Sequence, residues 1–173
     1  MKRSLVIILI LVLSACPLIL GAQGTRREKD LAKQENIQVV KDAIEDGNFK
    51  LVFNWAIPAS GKNISLSTEY VMKVMQDSVS AHLPFFGRAY SLPYGGDGGI
   101  QFDTKAKDFE SVYIDKGRKS RYEFSFGAQA ERDYYSVRLQ VYPEGNAYMT
   151  VLSNNRATIS YRGYLKPVEK KEK

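Results

Sequence analysis

Two periods of apolar residues divide the chain. Ile37, Val40 and Ile44, with Ala43 beside them, recur at helical spacing and leave the remaining positions charged. They predict a helix from about Leu31 to Asp46, capped by Asp30 and stopped by Gly47-Asn48. Beyond Gly47 the period becomes two. Phe49, Leu51, Phe53, Trp55 and Ile57 alternate with Lys50, Val52, Asn54 and Ala56 until Pro58 ends the run. Side chains on a strand point alternately to opposite faces, so this is a strand with one aromatic face. Tyr122, Phe124 and Phe126 repeat the pattern, as do Tyr135, Val137, Leu139 and Val141.

Pro143-Glu144-Gly145-Asn146 reads as a turn into a partner strand, Ala147 to Leu152. Asn154-Asn155 then turns the chain into Ala157 to Leu165, and Ile100-Gln101-Phe102 also reads as a strand. Short strands separated by turn signals indicate an antiparallel sandwich or barrel. The fold class is therefore α+β and mainly β, a helix followed by a β-meander. Tyr70 to Leu83 holds no Gly or Pro, and its period fits either a helix or a hairpin turning at Gln76-Asp77-Ser78.

The start of the chain changes the expected address. Lys2 and Arg3 precede an unbroken aliphatic run, Leu5 to Leu13, the layout of an export signal. Ser14, Cys16 and Pro17 interrupt the apolar character that continues to Leu20, which argues against a stable membrane span. Two processing routes compete. Leu13-Ser14-Ala15-Cys16 fits a lipoprotein signal (residues 1–15) with Cys16 as lipid-bearing N-terminus, whereas Ala22-Gln23-Gly24 offers ordinary cleavage after residue 24. A greasy Pro17-Leu18-Ile19-Leu20 start disfavours lipidation, so the soluble product is preferred, in the periplasm or at the outer membrane. Residues 25–29 then form a tether, 30–166 one β-rich domain, and 167–173 a charged tail.

Composition narrows the chemistry. Removing Lys2 and Arg3 with the signal lowers the net charge of +6 by two, a mild basic excess. Export makes nucleic acid an unsuitable partner, even where aromatics and basic residues interleave, as in Arg132-Asp133-Tyr134-Tyr135. Contact with a membrane is expected only through a lipid at Cys16. Cys16 is the sole cysteine, which excludes internal disulfides and thiol chemistry in the domain. His82 is the sole histidine; no Gly-x-Ser-x-Gly elbow accompanies it, and no serine is paired with it by pattern. One histidine and no available cysteine leave too few ligands for zinc, and no metal or cofactor is expected.

Gly95-Gly96-Asp97-Gly98-Gly99 lacks the Gly-Lys-Ser/Thr ending of a phosphate loop and reads as a flexible loop. Asp97, Asp103, Asp108 and Glu110 are acids without a pattern that pairs them for glycoside hydrolysis. Aromatics carry the one hint of binding. Among eleven tyrosines, eight phenylalanines and one tryptophan, most belong to alternating strands and hence to the core. Leu83-Pro84-Phe85-Phe86-Gly87-Arg88-Ala89-Tyr90 instead sets aromatics in a punctuated turn, as a structural corner or as a place for a ligand or partner. Phe85, Phe86, Arg88, Tyr90 and Asp97 are the possible contacts.

Several words of the chain resemble a family of exported bacterial proteins known only as a domain of unknown function, number forty-two fifty-one. They are Asp77-Ser78-Val79, Leu83 to Tyr90, Gly98-Gly99-Ile100-Gln101-Phe102, Pro143 to Ala147 and Arg156 to Gly163. The resemblance implies a lipocalin-like antiparallel barrel or strongly curved sheet with the helix alongside, and turns Tyr70–Leu83 into a hairpin. It implies no activity. The expected function is a non-enzymatic binding module of the cell envelope, holding a small or extended ligand at the barrel interior or mouth. A protein-interaction or structural envelope component, and a hydrolase with an unrecognised site, are the alternatives.

Overall fold

The computed structural model describes residues 18–90, 98–131 and 133–168, with side chains from residue 26 onward. Among the described residues one α-helix, α1 (Leu18–Glu45), precedes nine strands. These are β1 (Asn48–Pro58), β2 (Ile64–Met75), β3 (Ser78–Leu83), β4 (Ile100–Lys105) and β5 (Lys107–Ile114), then β6 (Arg121–Gln129), β7 (Tyr134–Val141), β8 (Asn146–Ser153) and β9 (Ile159–Pro167). The chain divides into two compact units, one ending at Asn36 and one beginning at Ile37. The first contains the upstream part of α1.

α1 starts well before the expected cap at Asp30, which lies within the helix. Arg26, Arg27, Glu28 and Lys29, expected as a tether, are good helix formers, and no proline interrupts them. In the second unit the predicted stripe is the buried one: Val40 and Ala43 are buried, with Ile37 and Ile44 half-buried. Gly47, at φ +65°, ends the helix with an amide bonded to the Ile44 carbonyl.

All strand pairs are antiparallel, in the order β4-β3-β2-β1-β9-β8-β7-β6-β5. The two strands at the ends of this order, β4 and β5, are joined by Ala106 alone. One residue spans at most ~3.6 Å, so both edges of the sheet must meet there. The result is a nearly closed barrel, in which β4 and β5 act as one strand that serves β3 with its first half and β6 with its second. The kink between them has a local cause: Asp108 takes φ +50°, and the register slips between Lys107 and Glu110.

Tyr70–Leu83 forms the hairpin. Met75 pairs with Ser78 across Gln76-Asp77, with Gln76 at φ +56°. A positive φ at the first central residue is what a tight hairpin turn requires.

Alternation fills the interior. Phe49, Leu51 and Phe53 of β1 point inward with Met72 and Val74, Leu83, Phe102, Tyr135, Leu139, Met149 and Tyr161, all buried. The Phe53 ring packs at a tilt on Tyr161 at 5.6 Å and Phe49 likewise on Phe124 at 5.7 Å, within the range of favourable aromatic pairs. At Gly163 the register shift between Phe53 and Trp55 brings β1 so near that any Cβ would collide with the Val52 carbonyl. Only glycine fits there.

Candidate functional site

The end of the barrel defined by the pairs Pro58–Ile159, Leu83–Ile100 and Gln129–Tyr134 carries the turn singled out from the sequence. Pro84 to Tyr90 crosses this mouth and is held from below at several points. The Tyr161 hydroxyl, rising from inside the barrel, donates to the Pro84 carbonyl at 2.8 Å. Burial pushes the Tyr161 phenol above its ordinary range, so it stays a neutral donor. The Tyr90 amide donates to the Asn155 carbonyl at 2.8 Å, and the Ala157 amide to the Arg88 carbonyl at 2.9 Å, so Ala89 and Arg156 form a short antiparallel bridge.

Arg156 is the hub. Its side chain is 6% exposed, and its guanidinium donates to the Gly98 carbonyl and lies 5.3 Å from the centre of the Phe85 ring. Its Nε is 3.5 Å from an Asp133 carboxylate oxygen, with Asp133 10% exposed, a charge contact without hydrogen-bond alignment. The other Asp133 oxygen accepts from the Tyr134 amide at 2.9 Å, the Ser153 hydroxyl at 2.9 Å and the Asn155 side-chain amide at 3.2 Å. A buried carboxylate needs such a donor shell as well as its counter-ion. One ion pair thereby ties together the loops before β4, between β6 and β7, and between β8 and β9.

The predicted contacts separate on this frame. Phe85 and Phe86 are half-buried and packed against the core, whereas Arg88 is exposed and Tyr90 is 66% exposed. Cys16, Asp97 and residues 1–17 of the export signal lie outside the described residues, while its residues 18–24 belong to α1. Asp103 (β4), Asp108 and Glu110 (β5) are exposed and scattered along one kinked strand rather than facing one another. Glu110 accepts from the Ser125 hydroxyl at 3.5 Å, on the outer wall of a shallow groove of about 360 Å³ across β5, β6 and β7.

His82 is exposed on β3 opposite Gln101, and Ser80, two positions earlier on the same face, stands opposite Asp103. That face is an open pleat whose amides serve the β3–β4 ladder. Among the described residues no group of three His, Cys, Asp or Glu side chains is arranged for a metal ion.

Asp133 and Arg156 are the residues that sequence reading passed over. The signal was present: once Tyr135 pairs with Ser153, extending the register by two places Asp133 opposite Asn155, beside Arg156.

A family model described as a domain of unknown function (DUF4251) matches residues 31–165. The chain belongs to the DUF4251 family. A crystal structure of a DUF4251 family protein from Bacteroides eggerthii superposes with a TM-score of 0.59 at 21% identity, over 79% of this chain and 91% of that one. At that identity the likeness bears on the fold, and it supports the DUF4251 barrel described above. No curated protein matches the chain.

Proposed function

We propose that the protein is a non-enzymatic binding module of the cell envelope that engages an extended ligand at the barrel mouth. One observation carries this reading: a multiply anchored turn presents Arg88 and Tyr90 to solvent. A loop fixed by a rigid scaffold loses little entropy on binding. Tyrosine and arginine are also the side chains that most often supply binding energy. Within the earlier alternative of interior or mouth, the mouth is favoured. The inward positions are occupied by large side chains such as Tyr135, Tyr161, Phe53 and Met149, each at most 2% exposed.

The test is an array of glycans and peptides probed with the protein and with an Arg88→Ala/Tyr90→Ala variant. The reading expects a ligand whose binding falls at least tenfold in the variant while the melting temperature stays within a degree or two. Equal binding by both proteins would remove the mouth from consideration.

A second reading, a protein-interaction component, draws on β5. This strand ends the sheet order and is exposed along nearly its whole length, with Phe109, Val112 and Tyr113 at the surface. Unpaired strand edges are where another chain adds. Loss of a co-purifying partner on Val112→Lys would favour it over the mouth.

A further inference from the structure

The outer wall is electrically polarised. Five adjacent strands, β7-β8-β9-β1-β2, carry the cations Arg138, Arg162, Lys166, Lys50 and Lys73 and a single carboxylate, Glu69. The inward neighbours of these residues are core, so all five cations point away from the barrel. Three stand in one row: Lys50 is directly opposite Lys73 on β2 and directly opposite Lys166 on β9. Directly opposed residues have Cβ atoms only ~5 Å apart, and like charges so placed are destabilising.

Relief within the protein is partial. Lys166 reaches Glu69 at 3.4 Å and lies 5.3 Å from the centre of the Tyr164 ring. Contact with Tyr164 is the main cause holding its ammonium in the charged form above the usual lysine range, with Glu69 adding to it. Lys50 and Lys73 have no side-chain ion pair or hydrogen bond among the described residues. Half-buried aromatics share the wall: Trp55 with Arg162 lying 5.7 Å from its ring centre, Tyr164, and Tyr148 opposite Arg162.

We propose that this wall docks on the surface of an anionic lipid bilayer. Charge complementarity sets the sign of the occupant, and the layout sets its form. Arg138 lies further round the barrel on β7, but the cations of β9, β1 and β2 stand abreast on one side, ~10 Å across at ~4.8 Å per strand gap. They match a plane of separated anionic headgroups. Tyrosine and tryptophan beside lysine and arginine are the side chains that settle at headgroup level. This docking is independent of the mouth, which lies at the end of the barrel rather than on its wall.

The experiment is co-sedimentation of the full chain with phosphatidylcholine vesicles with and without phosphatidylglycerol, beside a Lys50→Gln/Lys73→Gln/Lys166→Gln variant. The N-terminal apolar run is common to both proteins, so their difference isolates the row. At ~1 kcal/mol per lysine near such a surface, the variant should lose roughly 100-fold in partition to anionic vesicles. Partition to neutral vesicles should be unchanged, and the difference should shrink at high salt. With like-charge repulsion removed, the variant should melt no lower than the parent. Equal partition of both proteins would overturn the proposal, as would a preference for soluble dextran sulfate over the anionic vesicles. Arg88→Ala/Tyr90→Ala should leave partition unaltered, whatever becomes of the mouth.

Discussion

The mouth and the seam are both places where the barrel departs from a plain ladder, yet they are built in opposite ways. At the mouth, Pro84–Tyr90 is fixed by Tyr161, Asn155, Ala157 and the Arg156–Asp133 pair, so its position is determined several times over. At the seam, β4 gives way to β5 at Ala106, whose amide bonds to the Asp77 carbonyl at 2.7 Å. Beyond it Phe109 lies over Phe124 and Phe126, at 6.1 and 5.9 Å. The Asp77–Lys105 ion pair beside the kink is solvent-exposed. Connectivity and a few solvent-exposed contacts bring the seam together, whereas the mouth has buried polar groups that must be satisfied. Disturbing the first should cost little, and disturbing the second a great deal.

Arg156→Ala should produce the largest effect. It strands the buried Asp133 carboxylate and removes the guanidinium beside Phe85, at about 3–5 kcal/mol in urea unfolding. A loss below ~1 kcal/mol would mean the two regions do not differ as described. Phe109→Ala, at the seam, should cost about 1–2 kcal/mol, because the ring is 38% exposed and packs on one side only.

Tyr161→Phe should cost about 1 kcal/mol through the hydrogen bond to Pro84, and it also alters the alkaline limb. The phenol is raised in the folded protein, so its contribution is complete below its ordinary value of 10.0. That contribution is lost as pH rises above this value and the unfolded chain ionises first. The variant should therefore show a shallower fall between pH 9 and 11.

Lys105→Gln should do least. Its ammonium bonds Asp77 and lowers the carboxyl below its ordinary value of 3.8, a contribution present above that value and lost as pH falls through the lowered one. The variant should differ only by a slightly flatter acid limb.

Much of the meander was legible because its strands alternate cleanly. β1, β6, β7, β8 and β9 follow from Phe49–Ile57, Tyr122–Phe126, Tyr135–Val141, Ala147–Leu152 and Ala157–Leu165. The lower half of α1 was equally plain, but its upstream half was not, since Arg26–Lys29 carries no apolar stripe to give a period. The β4–β5 junction was illegible because Thr104 to Asp108 contains neither Gly nor Pro, and its kink rests on a positive φ at an aspartate. The lysine row was hidden for another reason. Lys50, Lys73 and Lys166 are distant in the chain, and only the register of two strand pairs brings them abreast. At the mouth, the Pro and Gly of Leu83–Tyr90 made the turn itself legible. The pair that fixes it, Asp133 and Arg156, lay in stretches read for other reasons, with no pattern joining the two.

The pairing of β1 with β9, from Phe49–Pro167 to Pro58–Ile159, has a consequence for how the protein is made. The first strand to leave the ribosome finds one of its two neighbours only when the last has been synthesised. Barrels rich in such distant pairings fold in milliseconds to seconds rather than microseconds. Until then one edge of β1 stays open to wrong partners. Closure is a post-synthetic event, and a chain shortened before β9 would leave that edge permanently exposed.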